Sequence, residues 1–482
     1  MRNKLFSVCL YVALAFAAIS CNKTDFFVTS TEETASVMTK SFNPLSHDPQ
    51  TPIDFFSEMD FKEWTEIASI DDRFKACNVP RSYLTGMTTE AIAKSLIHYP
   101  LNYLILFYDD PREAVKLVLS KSNLHQEFIQ RTDAARVITE LFASLSIDMS
   151  TEKCDFDNDY EIVSYSNGLF IEYFISSGCI PGIFDGHYSM LLGQTAQAKL
   201  SQRESEHETF SSFSKYPLIE ITEKIRERWE DSPSVTDSIS LRSYAVSIQT
   251  FFKQSIHGFH FDEMTNAEII YFTNTALSQY PNATLRGPAS SKYNCHSYAW
   301  YDSSTTNETW INAEYNDVLQ LSKFWTNDLY VSSTQSDAER AYYSSGDHSA
   351  VVLPSGKFLS KWGAGPLMEH DYNYCPYDYS NMQYYAERTT PLYFFTPING
   401  NSPILVNQTN TYNFDPTFDF NYSVYVQYNE ASSPTPFTFT EFGPGFYYLT
   451  CYTEGYYVLY LKGYRNGNCI ADARKDIIVL NY

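Results

Sequence analysis

The chain has 482 residues, 44% hydrophobic and 16% aromatic, which is too long for one core and predicts about two to four folded units. Its formal net charge of −23 excludes a general nucleic-acid binder, because phosphate backbones need basic surface. No dinucleotide or phosphate-loop fingerprint occurs, so no cofactor is implied.

The first residues read as a targeting segment. Arg2 and Lys4 precede an apolar stretch over residues 5–19, short for a transmembrane span and suited to a signal peptide. Ala18-Ile19-Ser20-Cys21 follows, and resembles a bacterial lipobox. That resemblance implies a lipoprotein signal peptide over 1–20, lipidation of Cys21, export, and anchoring to a membrane of the bacterial cell envelope. The polar, Thr- and Ser-rich stretch that follows predicts a flexible tether over 21–50. Seven further cysteines (77, 154, 179, 295, 375, 451 and 469) show no CxxC spacing, so they form neither a zinc pattern nor a disulfide framework. Cys451 and Cys469 are the one candidate pair.

Residues 51–284 predict a helical domain. Thr88 caps a helix that ends before Pro100. In "DPREAVKLVLSKS", Asp110 is an N-cap with Pro111 at the first helical position. In "RTDAARVITELFASLS", Ala134, Val137, Ile138, Leu141, Phe142 and Leu145 fall on one helical stripe. "LRSYAVSIQTFFKQSI" (241–256) reads as a further amphipathic helix. "CDFDNDYE" (154–161) alternates acids but lacks the glycine and final acid of a calcium loop, and reads as a solvated loop. "HGFHFDE" (257–263) carries two histidines and no further positioned ligand, so no metal is expected there.

The texture changes near residue 285. "NATLRGPASSKYN" reads as a loop, and Cys295–Trp300 opens a helix with Asn294 as its cap. A mixed helical stretch follows at 316–328. Strands are expected at 349–353 and 357–362, with Pro354 and Gly356 turning the chain between them, and a closing strand at 389–397. Residues 399–482 are short strands rich in Tyr, Val and Leu, which predicts an Ig-like β-sandwich.

"YNCHSYAWY" (293–301) followed by "GDHSAVVLPSGKFLSKWG" (346–363) resembles the papain-like amidase superfamily that includes the NlpC/P60 and CHAP peptidases. A cysteine opening a helix and, about 50 residues later, a histidine heading a strand is that family's order; the resemblance covers about 288–397. It implies a papain-like α+β domain over 285–398, within a multidomain α+β chain. It implies Cys295 as nucleophile, His348 as base and Ser360 as the orienting residue. A three-residue hairpin loop would place Trp362 opposite His348 and Ser360 diagonally on the same face; a two-residue loop would set Lys361 opposite His348, where a like charge opposes protonation of the imidazole, so Ser360 is preferred. Tyr293, Asn294 and Trp362 are substrate or oxyanion candidates. His296 reads as structural or rim-lining, since adjacent helical residues point apart; His370 reads as a loop residue. The family's Asp-Cys-Ser is here Asn294-Cys295-His296-Ser297, a departure that bears on specificity for peptidoglycan.

Two functions follow. The first is an exported, lipid-anchored cysteine amidase or peptidase, cleaving an amide through a Cys295 thioester, with peptide or peptidoglycan-like substrates. The alternative is a surface binding or adhesion lipoprotein whose papain-like domain is not catalytic.

Overall fold

The computed structural model describes residues 48–53, 55, 61–149, 161–229, 243–393, 398–414, 421–428, 437–443 and 445–481. The signal segment, Cys21, the tether as far as residue 47, and residues 154–160 of the acidic loop lie outside the described residues.

The fold is mixed α+β with a strand-rich C-terminal region. The helical part follows its local signals. Helix α1 (Thr89–Ile97) starts where the Thr88 hydroxyl accepts from the Ala91 N–H. A 3₁₀ turn (Asn102–Leu106) leads to α2 (Pro111–Lys121), whose cap Asp110 accepts from the Arg112 N–H. The stripe on α3 (Ala134–Ser144) is buried as its spacing predicts. Helix α4 (Tyr165–Ser176) is buried on all sides. It carries Glu172, which takes a bidentate ion pair at 2.7 and 2.8 Å from Arg203 of α5 (Gly186–Ser205). Helix α6 (Ser212–Trp229) packs on both α4 and α5.

The described part of the expected 241–256 helix, residues 243–256, is not helical. Ser243–Gln249 and Ser255–Phe261 form an antiparallel hairpin, turned at Lys253 with a φ of 65°. Val246 and Ile248 turn inward while Ala245, Ser247 and Gln249 are exposed, an alternation of period two that a helical count misreads. Helix α7 (Asn266–Gln279) follows, capped by a reciprocal Thr265–Glu268 box.

Seven antiparallel strands form the next sheet: β1 (Thr284–Gly287), β2 (Tyr330–Ser332), β3 (Arg340–Tyr343), β4 (His348–Val352), β5 (Phe358–Lys361), β6 (Leu367–His370) and β7 (Met382–Glu387). Their spatial order is β1-β6-β5-β4-β3-β7-β2. Edge strand β1 occupies residues that read as loop. The 316–328 stretch holds only a 3₁₀ turn, Gln320–Phe324, after a two-residue strand. The β4–β5 hairpin has the expected three-residue loop: Val351 pairs with Leu359, and the Leu353 N–H donates to the Lys357 carbonyl.

Helix α8 (Cys295–Trp300) packs against β4 and β5 from one face of this sheet. Residues on the opposite face, among them Ala350, Phe358, Trp362 and Met368, join the buried cluster of the helical part. One continuous core therefore runs from α1–α7 into the central strands.

Of the closing strand expected at 389–397, residues 394–397 lie outside the described residues, and the described part does not join this sheet. Leu392–Tyr393 pairs in parallel with Ala471–Asp472 instead. Among the described residues, the C-terminal strands form a five-stranded and a three-stranded sheet. Leu449 and Cys451 of one, and Tyr457, Leu459, Leu461 and Ile477 of the other, share a buried cluster. Cys451 and Cys469 are free rather than paired. Cys451 is buried in the three-stranded sheet, while the Cys469 thiol donates to the Ala471 carbonyl of its own strand. Among the described residues, no helix is long and apolar enough to cross a membrane.

Candidate functional site: a buried thiol, imidazole and carboxylate cluster

The α8 N-terminus is built by Asn294. Its Oδ1 accepts from the backbone N–H groups of Ser297 and Ile311, and its Nδ2 donates to the Ile311 carbonyl and to Asp109 Oδ2. The Ser297 hydroxyl returns to the Asn294 N–H, closing a capping box. Cys295 is thus the first residue of a capped helix, as its sequence context predicts.

Its surroundings differ from the expected ones. Along β4, successive side chains alternate faces. Ser349 faces α8: its Oγ lies 2.9 Å from His296 Nδ1 and accepts from Trp300 Nε1 at 2.8 Å. His348 turns to the other face, stacked on Tyr377 with ring centroids 3.6 Å apart and edge-on to Tyr343. Both His348 ring nitrogens are buried without a hydrogen-bond partner. Burial, together with the nearby rings of His370 and His296, holds its pKa well below the usual imidazole value.

Ser360 lies on the His348 face as the register requires, but its partner is another residue. Its Oγ is 2.7 Å from His370 Nε2 and accepts from Trp362 Nε1 at 3.2 Å. His370 is a buried strand residue, not a loop residue, and burial pushes its pKa down to about 4. Trp362 is fully buried and packs against Phe107 and Tyr280 in the core. Tyr293 is buried and lies under the Lys361 ammonium at 5.1 Å. The Lys361 Nζ donates to the carbonyls of Ser290, Gly363 and Gly365, and burial lowers its pKa to about 7.

What the fold does assemble around Cys295 is His296 and Asp109. One ligand-type atom from each of the three lies within 4.8 Å of the others. Cys295 Sγ is 3.8 Å from Asp109 Oδ2, and His296 Nε2 is 3.7 Å from the same oxygen and 3.3 Å from Asp347 Oδ1. His296 is not a rim residue: like Cys295 it is fully buried. The first helical turn is short enough for both neighbours to reach the same carboxylate.

The electrostatics are coupled. Burial, then the charges of Asp109 and Asp347, push the Cys295 thiol well above its ordinary value. Burial raises Asp109 to about 7, although the His296 ring and the Asn294 amide pull the other way. Burial alone would lower His296, but the adjoining Asp347 carboxylate at 3.3 Å and then the Asp109 charge outweigh it and its pKa rises. At rest the cluster therefore holds a neutral thiol beside an imidazole that favours its protonated form.

Asp109 arrives from the helical part, between the 3₁₀ turn and α2. Its segment is pressed onto the sheet. A Cβ on Gly363 would meet the Phe107 carbonyl oxygen at 2.7 Å, and one on Gly365 the Phe107 ring at 2.6 Å. The Tyr377 hydroxyl donates to the Phe107 carbonyl, and the Tyr108 hydroxyl to that of Pro376 at 3.3 Å. Asp109 also lines a cleft with Phe213, Phe261, Ser291 and Trp310.

Sequence reasoning missed Asp109, Asp347 and Ser349 and set His296 aside. Asp347 carried a signal, since it closes the "SSGD" turn directly before β4, where the structure gives it a left-handed φ of 46°. Asp109 carried none, being distant in the chain and next to a more conspicuous cap, Asp110.

Residues 284–387 match a family model described as "Domain of unknown function (DUF7689)". That match spans well under half of the chain, from the first residue of β1 to the last of β7. No curated protein and no solved structure matches.

Proposed function

We propose that the chain is an exported, lipid-anchored cysteine amidase or peptidase of papain-like type, with Cys295 as its nucleophile. The observation that carries this reading is a cysteine at the first position of a capped helix, packed on an antiparallel sheet, with an imidazole and a carboxylate beside its sulfur. A thiol is weakly nucleophilic until it loses its proton. Here the thiol already addresses Asp109, whose pKa of about 7 suits a general base at neutral pH. His296, whose pKa the Asp347 carboxylate raises against the effect of burial, offsets the thiolate charge in its protonated form. The thiolate adds to the amide carbonyl, and the C–N bond breaks as the amine takes the proton. Water then hydrolyses the thioester and restores the thiol. Backbone N–H groups at the start of α8 supply oxyanion donors. Peptide or peptidoglycan-like amides are the substrate class that the family resemblance supports.

Domain limits at 285–398 and 399–482, and an Ig-like sandwich for the latter, accompany this reading. The shared cluster between the two C-terminal sheets supports the sandwich.

A second reading has its own support. Cys295 is completely buried, which suits a surface binding or adhesion lipoprotein whose papain-like domain does no chemistry. The two separate on reaction of the full chain with a thiol-reactive acyl probe. The hydrolase reading expects labelling of the parent that Cys295→Ala removes. Equal labelling of both leaves the binding reading.

A further inference from the structure

We propose that Asp109, Cys295 and His296 form a site for one Zn²⁺-class divalent cation, with Asp347 at its mouth. The site needs no hydrolytic activity and so stands apart from the amidase reading.

The donor set is the first argument. Thiolate, imidazole and carboxylate together select zinc-like ions over Mg²⁺ or Ca²⁺, which prefer all-oxygen shells. Spacing is the second. Bond lengths of about 2.0–2.3 Å in a tetrahedral shell place neighbouring donor atoms roughly 3.3–3.6 Å apart. Here Cys295 Sγ and Asp109 Oδ2 are 3.8 Å apart, His296 Nε2 and Asp109 Oδ2 3.7 Å, and His296 Nε2 and Asp347 Oδ1 3.3 Å.

Third, His296 Nε2 and Asp109 Oδ1 are buried with no hydrogen-bond partner. Orphaned buried polar atoms are costly, and a cation shared between them removes the cost. Fourth, each ligand is already held from behind. Ser349 Oγ can accept from His296 Nδ1–H, leaving Nε2 free to ligate, and the Asn294 amide holds Asp109 by its Oδ2. Such outer partners fix the orientation of metal ligands. The Asp347 side chain is 56% exposed, which leaves an entry side and a fourth position for its own carboxylate or for water. A bound cation would occupy the thiolate and silence Cys295 as a nucleophile.

The test uses the full chain, stripped by a chelator and titrated with Co²⁺ while sulfur-to-cobalt charge-transfer absorption is followed. One equivalent giving a band that added Zn²⁺ displaces is expected. Cys295→Ser should lose the band, His296→Gln should weaken binding at least tenfold, and Ser349→Ala should weaken it roughly 10- to 100-fold. Cys375→Ala, which removes a buried thiol elsewhere, should leave it unchanged. Absence of the band in the parent, or its survival in Cys295→Ser, overturns the proposal. Acyl-probe labelling of the stripped protein is read separately, so the cation site and the amidase reading can fail independently.

Discussion

His296 Nδ1 lies 2.9 Å from Ser349 Oγ, so the residue that faces the cysteine helix from the central strand is Ser349, and its neighbour His348 faces away. Because side chains alternate along a strand, a one-residue difference decides which side of the sheet a group serves.

That placement predicts opposite outcomes for two histidines. His296→Gln should reduce Cys295 reactivity by roughly 10²-fold or more, as loss of a proton-handling group does. His348→Phe should keep reactivity and raise unfolding free energy by about 1 kcal/mol, because it replaces two unpartnered buried nitrogens with carbon in the same stack on Tyr377. Acyl-probe rates and urea unfolding measure both. Loss of reactivity in a stably folded His348→Phe variant would restore the assignment that the sequence suggested.

The segment that carries Asp109 gives a second prediction. Gly363 has a φ of +51°, and a Cβ there would lie 2.7 Å from the Phe107 carbonyl oxygen. Gly363→Ala should cost about 2–4 kcal/mol, from strain plus displacement of residues 107–109. Gly356, at the β4–β5 turn with a φ of +81° and open space around it, is the control; Gly356→Ala should cost about 1 kcal/mol. Paired denaturant curves compare the two.

Three buried histidines set the acid limit. Burial lowers His125 to about 3 and His370 to about 4, and holds His348 well below its usual range. The unfolded chain protonates all three near pH 6.5 while the native protein does not. Stability that these groups leave intact above pH 6.5 is therefore lost as pH falls toward 4, with a slope approaching three protons from them, offset by about one proton of opposite sense from Asp109, which burial raises to about 7. His125→Phe, in a pocket of Tyr99, Phe170 and Phe174, should lower that slope by one proton, about 1.4 kcal/mol per pH unit. Urea midpoints from pH 4 to 7 give the slope.

The Glu172–Arg203 pair, with side chains 3% and 5% exposed, supports α4 and α5. Arg203→Met should cost about 3–5 kcal/mol, since it leaves a buried carboxylate uncompensated, and Glu172→Gln with Arg203→Met together should cost less than Arg203→Met alone. A double-mutant cycle by denaturant unfolding checks this.

Legibility followed sequence distance. The Asn294 cap, the helix opening at Cys295, the caps of α1 and α2 and the three-residue loop at Pro354–Gly356 are local and were readable. The hairpin register was readable too, and it set Ser360 on the face of His348. What it could not supply was which face meets α8, because that depends on how helix and sheet pack. Ser360 accordingly turned out to hold His370. Residues 241–256 read as a helix because their apolar residues also fit a helical count, whereas 243–261 is a hairpin. Asp109 was invisible because only the packing of Phe107 against Gly363 and Gly365 carries it to the cysteine.

The most direct test of the account is the labelling rate of the full chain, stripped of metal, with a thiol-reactive acyl probe, site-resolved by peptide mass mapping. The account predicts one fast-labelled residue, Cys295, lost in Cys295→Ala and slowed at least tenfold in both His296→Gln and Asp109→Asn. Labelling spread over Cys179 and Cys469 with Cys295 inert, or an unchanged Cys295 rate in both neighbour variants, would contradict it.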